Sequence, residues 1–521
     1  MNGRISDLQN LTSRPSLLFE ANGVQLQVST IKHSEKKETG LGVFAACDIL
    51  EGVLMVTPLH LAITPMSVLQ DPEFGKAYAK LFEDGDVDDR LLMMLFLMVE
   101  HIRGSSSLWA PYLDVLPTSF GTPLWFTEEE LQELQGTALH NATKIQLRNL
   151  GALFEDKVKP FAEQVLSSVG ALEREIDFKD FLWANCIFWT RALNIPCPHP
   201  FVFPKQVHSS NNGDSQGKVM GLVPGIDFCN HDPKGVVKWE VDGPEGAMTG
   251  VPNSMYLKTD SPFSANDEVL ISYGNKGNEE LLFLYGFVIE DNADDFYMVH
   301  FPKEALDHDP FGEVKVQLLQ EQNLTLRWLL PSTLLQKGFY SSERRDASDA
   351  ISAGNQECQS SFSWSGVRKP PSFLNQCVFP EETLAALRVV AMKENEVQAV
   401  ISMLEELSQS RLQEAPMGEN MRVAVWEVCG NSSALQLLTD LIAARLLELE
   451  EGTGTETADQ EILSSVYEEP HSSSAISKNM ESCIVYRKRQ KYLAKQFLKE
   501  SEHLLELSIS EDVDRRKLRR V

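Results

Sequence analysis

The feature of this sequence that most constrains its fold is a change in the spacing of apolar residues along the chain. Short strand-like segments occur near the start and again between residues 236 and 271. From about Pro65 to residue 195 the apolar residues recur at three-to-four spacing, which is typical of helices. Two strand-rich pieces separated by helical residues predict one β domain that is interrupted by a helical insert.

The length of the chain predicts more than one domain. With 521 residues it is too long for a single hydrophobic core, and after Lys303 it is predicted to be almost wholly helical. We therefore predict an α+β fold. Its parts, in chain order, are an irregular N-terminal tail (1–22), a β-rich domain (23–300) with a helical insert (about 65–195), an all-α domain (304–507) and a basic tail (508–521).

Shorter segments carry local signals of their own. Val24–Val28 alternates as a half-buried strand does. Leu91–Val99 is apolar but shorter than the ~20 residues that span a membrane, so it predicts a buried helix. Asp177 is predicted to begin a helix that ends at Arg191, and the residues 451–478, rich in Gly, Thr and Ser, predict a loop.

The composition is strongly acidic and limits the classes of partner. Lys and Arg total 47 against 75 Asp and Glu, which gives a net charge of −28. Such a surface repels phosphate backbones, so nucleic-acid binding is not expected, whereas a basic protein segment would be attracted. The alternative is an acidic surface that only aids solubility.

The cysteines argue against a structural zinc site. None of the eight forms a C-x-x-C pair, and no basic start followed by an apolar core predicts secretion. We therefore expect no metal and a reducing compartment.

The segment 223–232 places an acid, an amide and an imidazole close together behind a Pro-Gly break; these are Asp227, Asn230 and His231. In isolation the pattern has other interpretations. Asp and Asn cap turns, and an Asp-x-x-Asn-His sequence could supply half of a metal site.

Two tyrosines follow this segment. Tyr273 ends an apolar strand and Tyr285 lies in the next amphipathic stretch, so both could reach a shared pocket. Each could equally be a core residue that packs its ring and forms a hydrogen bond through its hydroxyl group.

Gly40 and Gly42, with Ala45, resemble the start of a dinucleotide-binding motif. That motif needs an apolar strand before it and a helix after it, and neither is predicted here. The glycines still permit close approach of the backbone to a ligand.

Each motif is common by itself, but their combination in this order is typical of one protein family. Gly-Leu-Gly at 40–42, Asn-His at 230–231, Tyr-Gly at 273–274 and N-E-E-L-L-x-x-Y-G-F at 278–287 resemble the SET-domain protein methyltransferases. More narrowly, the chain resembles the plant Rubisco large-subunit lysine methyltransferase group, whose animal relatives include an actin-histidine methyltransferase. A Trp-Ala pair at 183–184, the Thr-Arg-Ala at 190–192 and the helical C-terminal part also match that group. The resemblance covers about residues 23–505.

The resemblance implies a SET domain with a helical insert, a Rubisco LSMT-type substrate-binding domain and S-adenosyl-L-methionine as cofactor. It implies that the cofactor is bound by Thr39, Gly40, Leu41, Arg191, Asn230, His231 and Tyr273, and that Tyr273, Tyr285 and Asp227 are catalytic. Within this scheme Arg191 would pair with the carboxylate of the cofactor, and Asp227 would lie near the substrate amine.

The expected function is protein-lysine N-methylation of a folded, non-histone protein. Histidine methylation and an inactive SET-fold binding module remain alternatives. We expect a monomer whose partner is an abundant chloroplast or cytosolic protein, with no nucleic acid and no membrane. The expected location is soluble and intracellular; the resemblance favours the chloroplast, and cytoplasm and nucleus stay open.

Overall fold

A computed structural model describes residues 15–34, 40–85, 87–203, 217–341, 371–409, 417–468 and 476–518. The chain divides into two compact units. The first comprises Met1–Thr127, Asn141–Lys276 and Glu280–Phe287, and the second comprises Glu128–His140, Gly277–Glu279 and Val288–Val521.

The strands of the first unit form small antiparallel sheets. In chain order they are β1 (Ser29–His33), β2 (Leu41–Ala45), β3 (Gly52–Pro58), β4 (Leu193–Pro196), β5 (Lys218–Gly221), β6 (Lys238–Asp242) and β7 (Ser254–Thr259). β1 pairs with β2, β4 pairs with β5, and β7 lies between β3 and β6. In the β1–β2 pair Ser29 lies opposite Ala45, and in the β6–β7 pair Lys238 lies opposite Lys258. Strands from both sides of the insert thus share one sheet.

The prediction of a strand at Val24–Val28 is wrong. Within it only Gln25 forms a bridge, to Val56, and the strand β1 begins at Ser29. Gln27 has a φ of +49°, a left-handed conformation that ends an extended run, and the amide of Ser29 bonds back to the carbonyl of Leu26 at 2.7 Å. Alternation in the sequence reports which residues are buried, and it does not detect this turn.

The helices before β4 are α1 (Pro15–Ala21), α2 (Pro65–Leu69), α3 (Gly75–Glu83), α4 (Asp89–Arg103), α5 (Ala110–Leu113), α6 (Glu128–Gln132), α7 (Ala138–Leu153), α8 (Lys159–Ser168) and α9 (Phe178–Arg191). A π-helical turn, Phe154–Val158, joins α7 to α8.

Helix α4 confirms the predicted buried helix. Asp88 caps it by accepting a hydrogen bond from the amide of Leu91 at 2.8 Å. Every residue from Leu91 to Glu100 is buried in the first unit. Its continuous apolar run therefore reflects burial on all sides.

Helix α9 confirms the other predicted helix and sets the position of Arg191. Its N-terminus is a capping box. The side chain of Asp177 accepts a hydrogen bond from the amide of Asp180, and the side chain of Asp180 accepts one from the amide of Asp177. The chain becomes extended at Ala192, so Arg191 occupies the last turn. A local signal at Asp177 thus determines where a candidate functional side chain lies.

The second unit combines helices with one two-stranded sheet. Strand β8 (Phe296–His300) pairs with β9 (Arg327–Pro331), with Phe296 opposite Pro331. The helices from residue 278 onward are α10 (Asn278–Glu280), α11 (Glu304–Asp307), α12 (Gly312–Glu321), α13 (Glu381–Val390), α14 (Glu394–Gln409), α15 (Met417–Cys429), α16 (Ser432–Thr453), α17 (Glu456–Glu468) and α18 (Lys478–Leu518).

Two features of this unit differ from the sequence expectation. Residues 288–300, expected in the first domain, lie in the second unit because β8 pairs with β9. Within the predicted loop 451–478 the chain forms helix α17, because the buried Leu463 and the buried carboxylate of Asp459 hold that segment against α18. Polar composition alone does not reveal these buried partners. In the ranges that the structure describes, no helix is long and apolar enough to cross a membrane.

Candidate active site

Four rings from three chain segments form an aromatic cluster, defined here as His231, Tyr273, Tyr285 and Phe287. The centroid of the Tyr273 ring lies 4.9 Å from that of His231 and 4.8 Å from that of Tyr285. Phe287 lies 5.9 Å from His231 and 6.4 Å from Tyr285. The two tyrosines and the histidine predicted for the site are thus brought together, and Phe287 joins them.

The hydroxyl of Tyr273 is fixed in direction. It donates a 2.7 Å hydrogen bond to the backbone carbonyl of Cys229. Burial raises the pKa of Tyr273 well above its ordinary value, and burial also raises the pKa of Tyr285. Both side chains therefore stay protonated at neutral pH, so neither can serve as a general base there.

Nδ1 of His231 has two backbone neighbours. The backbone amide of Tyr273 donates to this nitrogen at 3.0 Å. The carbonyl of Ile271 lies farther from the same nitrogen, at 3.4 Å. Because a backbone N–H can only donate, the shorter contact favours Nδ1 as an acceptor and places the ring proton of a neutral imidazole on Nε2.

Backbone hydrogen bonds join the segment that contains Asn230 and His231 to the segment that ends at Tyr273. The amide of Ile271 donates to the carbonyl of Asn230 at 3.0 Å, and the amide of Asp232 donates to the carbonyl of Ile271 at 3.1 Å. His231 and Ile271 form a parallel bridge. This pairing is what places Tyr273 next to His231.

The buried carboxylate of Asp227 forms an ion pair with the half-buried Arg191. Nη1 of Arg191 lies 3.2 Å from Oδ2 of Asp227 and donates to its backbone carbonyl at 3.1 Å. Tyr112 donates to the same Oδ2 at 2.7 Å. Burial raises the pKa of Asp227, and Arg191 opposes that shift. Among the residues that the structure describes, Oδ1 of Asp227 and Nε of Arg191 have no hydrogen-bond partner.

The turn that carries Asp227 depends on Gly225. This glycine has a φ of +94°, and a Cβ there would lie 3.0 Å from Sδ of Met55. It precedes a 3₁₀ turn, Ile226–Phe228, which directs Asp227 inward. The Pro-Gly break noted in the sequence therefore has a steric reason.

Asn230 is paired with Glu268. Its Nδ2 donates to Oε1 of Glu268 at 2.7 Å. Gly42 of strand β2 lies against this pair, since a Cβ there would be 2.8 Å from Oε1 of Glu268 and 3.2 Å from Nδ2 of Asn230. The Gly-x-Gly motif is therefore brought to Asn230.

The other N-terminal candidates are placed in part. Gly40 has a φ of +68°, and its carbonyl accepts from the amide of Ser34 at 2.9 Å. Leu41 begins strand β2. Thr39 lies outside the residues that the structure describes.

Tyr112 and Glu268 have no role in the sequence interpretation. Tyr112 lies in helix α5 and bonds Asp227. Glu268 opens the segment that ends at Tyr273, and nothing local distinguishes it from a solvated acid. Their partners are far away in sequence, so no local signal could have found them.

Asp227 and His231, considered above as half of a metal site, have other partners in the structure. Asp227 bonds Arg191 and Tyr112, and His231 accepts from the amide of Tyr273. Within the described ranges no group of three or more His, Cys, Asp or Glu side chains could hold a metal ion.

Tyr112 also lines a cavity of about 410 Å³. Its walls are mainly apolar and include Phe19, Trp109 and Pro224. None of the described site candidates lines it. This cavity is therefore separate from the aromatic cluster.

The chain is similar in sequence to several named proteins. It is 30% identical over 272 residues to SET domain-containing protein 8 of Schizosaccharomyces pombe, covering 51% of this chain and 54% of that protein. It is 27% identical over 310 residues to the chloroplastic ribulose-1,5-bisphosphate carboxylase/oxygenase large subunit N-methyltransferase of Pisum sativum, covering 58% and 56%. It is 26% identical over 296 residues to the actin-histidine N-methyltransferase of Mus musculus, covering 54% and 43%. The chain thus spans about half of the length of these relatives. No protein-family model matches it.

The fold is shared over nearly the whole chain. The crystal structure of the SET domain of LSMT bound to lysine and AdoHcy superposes with a TM-score of 0.61 at 19% identity, covering 93% of this chain and 89% of that one. The α+β prediction is thereby confirmed. The chain has the fold of the Rubisco LSMT structures, and the resemblance of its motifs to SET-domain protein methyltransferases is confirmed by its relatives.

Proposed function

We propose that this protein is an S-adenosylmethionine-dependent protein-lysine N-methyltransferase. The observation that carries the proposal is the aromatic cluster around the half-buried Tyr273, whose hydroxyl is fixed in direction, next to the Asn230–His231 segment. The relatives named as a ribosomal lysine N-methyltransferase and as large-subunit N-methyltransferases support it.

The residues present fit the proposed cofactor. Arg191 uses Nη1 for Asp227, while its buried Nε has no partner among the described residues. An arginine can bind a carboxylate through its Nε edge, and a buried donor without a partner is costly unless a ligand satisfies it. The amide of Asn230 and the close approach at Gly42 supply further contacts.

When bound, S-adenosylmethionine supplies a methyl group on a sulfonium, which transfers to an amine by in-line displacement. The chain's own residues align the substrate and exclude water. The four rings of the aromatic cluster form apolar walls, and such walls lower the pKa of an entering lysine amine because they disfavour its charged form.

The hydroxyl of Tyr273 has a specific part in this scheme. Because its proton points to the carbonyl of Cys229, its oxygen lone pairs remain for polarised C–H groups. Tyr285 closes the channel for the lysine side chain. Asp227, whose carboxylate is fully buried between Tyr112 and Arg191, acts mainly by holding Arg191, and its Oδ1 is the atom that could face an amine.

The proposed substrate is a folded, non-histone protein, and the proposed setting is a plant chloroplast. The support is the similarity to the chloroplastic large-subunit methyltransferases of Pisum sativum and Nicotiana tabacum. The net charge of −28 favours a basic segment on that substrate. We further propose that the protein acts as a monomer and binds no nucleic acid.

Histidine methylation is the second candidate, because the chain is similar to the actin-histidine enzyme to nearly the same degree as to the large-subunit enzymes. Both reactions use a neutral nitrogen nucleophile, so the cluster alone does not separate them.

The test is incubation of the protein with cofactor carrying a labelled methyl group and a chloroplast or cytosolic extract, followed by mass spectrometry of labelled peptides. Label on a lysine supports the proposal, and label on a histidine supports the second candidate. No label in either extract, with a protein that also fails to bind S-adenosylhomocysteine, would favour an inactive binding module.

A further inference from the structure

Glu268 and Asn230 lie 38 residues apart in the sequence and meet through one short hydrogen bond. Nδ2 of Asn230 lies 2.7 Å from Oε1 of Glu268, and both residues are half-buried. The backbone holds each partner in place. The amide of Val269 donates to the carbonyl of Val43 at 2.8 Å, and the amide of Ile271 donates to that of Asn230 at 3.0 Å.

The chemistry of this pair determines which way the amide points. The two ends of an asparagine amide have nearly the same shape, so packing alone does not distinguish them. An ionised carboxylate can only accept hydrogen bonds. The NH₂ end of Asn230 must therefore face Glu268, and its carbonyl oxygen is left as the group available to a ligand.

Gly42 closes the other side of the pair. A Cβ at this position would lie 2.8 Å from Oε1 of Glu268 and 3.2 Å from Nδ2 of Asn230. The hydrogen bond thus lies directly against the backbone of strand β2, at a point where a side chain on residue 42 would collide with it.

We propose that Glu268 is a positioning residue that sets the orientation of the Asn230 side-chain amide. In this orientation Asn230 presents its carbonyl oxygen as a hydrogen-bond acceptor to a cationic N–H donor of the ligand. This inference rests on the proposed function, in which that donor is the ammonium group of the cofactor's amino-acid end. Glu268 does not contact the cofactor. It makes the site select a ligand with an ammonium group at this point.

The test compares two probes, S-adenosylhomocysteine and 5′-methylthioadenosine, by titration calorimetry. The second probe lacks the amino-acid end. Glu268→Ala frees the amide to flip, so we expect it to weaken S-adenosylhomocysteine binding by about tenfold to a hundredfold, as for loss of a hydrogen bond to a charged group. Binding of 5′-methylthioadenosine should not change.

A double variant in which the amide and the carboxylate exchange positions should restore binding. In Asn230→Asp the two carboxylates repel, and binding of S-adenosylhomocysteine should fall. In the double variant Asn230→Asp with Glu268→Gln, the Gln amide donates to Asp, an acceptor oxygen again faces the ligand, and binding should recover. Glu240→Ala is the matched control, because Glu240 accepts from Tyr256 outside the site, and its effect should stay within about twofold.

The outcomes separate the two proposals. A wild-type protein that binds neither probe contradicts the proposed function. A wild-type protein that binds both, with Glu268→Ala binding S-adenosylhomocysteine equally well, overturns the role of Glu268. Urea unfolding of the same variants needs no ligand: if the double variant is no more stable than Asn230→Asp, the pairing itself is refuted.

Discussion

Arg191 is bound to Asp227 through a single nitrogen, Nη1, which lies 3.1 Å from the backbone carbonyl and 3.2 Å from the carboxylate Oδ2 of Asp227. The pair ties the last turn of α9 to the 3₁₀ turn that precedes Asn230. It leaves the Nε edge of the guanidinium without a partner among the described residues. One ion pair thus anchors the local structure and keeps a donor ready for the proposed cofactor carboxylate.

Replacing Tyr273 by Phe should impair methyl transfer far more than binding. The variant keeps the ring that stacks on His231 and loses only the hydroxyl that bonds Cys229. We expect turnover to fall by about a hundredfold or more, as when one oriented polar group is removed from an active site. S-adenosylhomocysteine binding, measured by calorimetry, should change little.

Tyr256→Phe is the control for this variant, because it also removes one hydroxyl that bonds a neighbour, Glu240. Full activity of Tyr273→Phe in the labelled-methyl assay would contradict the role proposed for Tyr273.

Replacing Tyr112 by Phe should destabilise the first unit. The hydroxyl of Tyr112 donates to the buried carboxylate of Asp227, and its loss leaves that oxygen with Arg191 alone. The expected loss in the free energy of unfolding is about 1–3 kcal/mol, measured in urea. Tyr78→Phe is the matched control: Tyr78 is fully buried and its hydroxyl has no partner among the described residues, so its removal should cost less. Equal losses would show that the bond to Asp227 contributes nothing.

Replacing Gly42 by Ala should weaken cofactor binding without unfolding the protein. The new methyl group would lie 2.8 Å from Oε1 of Glu268, so the Glu268–Asn230 pair must shift. We expect S-adenosylhomocysteine binding to fall by about tenfold, the effect of one displaced hydrogen bond. At Gly243 an added Cβ meets no described atom within 4 Å, so Gly243→Ala should bind normally. Unchanged binding by Gly42→Ala would contradict the tight seating of the pair.

His101 should make stability depend on pH near neutrality. Its ring stacks on Trp183 at 3.8 Å, and burial lowers its pKa. Because the folded state takes up the proton less readily than the unfolded state, stability is fully present above the ordinary imidazole pKa of about 6.5 and declines as pH falls through the folded-state pKa.

The variant His101→Phe keeps a ring against Trp183 but does not titrate. Between about pH 7.5 and pH 5.5 the wild type should lose more unfolding free energy than this variant, by at most about 1.4 kcal/mol per pH unit. Identical pH profiles in urea unfolding would exclude His101 as the cause.

Replacing Asp459 by Asn should strongly destabilise the second unit. Its carboxylate bonds Nε of Arg487 at 2.9 Å and Nζ of Lys491 at 2.6 Å, and all three side chains are buried. Removing the anion takes away the carboxylate that pairs with the buried Lys491, while Arg487 keeps its ion pair with Glu133. Loss of one partner of a buried ion pair costs about 3–5 kcal/mol. Glu448→Gln, which breaks a largely exposed pair with Arg445, should cost less than about 1 kcal/mol. A thermal or urea midpoint that is the same for both variants would contradict this prediction.

Local signals in the sequence were sufficient for several elements. The buried helix α4 and the helix α9 follow from caps and apolar spacing within a few residues, because a helix is built from contacts three and four residues apart. The order of the Gly-Leu-Gly, Asn-His and Tyr-Gly motifs likewise identified the SET fold. Strand β9 and helix α17 were missed, because each depends on a partner elsewhere in the second unit.

The sequence by itself determined the kinds of residue in the candidate site, its likeness to methyltransferases and the α+β division of the chain. Only the tertiary structure decided which side chains form hydrogen bonds and ion pairs with each other. Tyr112 and Asp227 are 115 residues apart, Arg191 and Asp227 are 36 apart, and Asn230 and Glu268 are 38 apart. The physical reason is that burial strengthens a polar contact and makes an unpaired polar group costly, and burial is created by packing between distant segments.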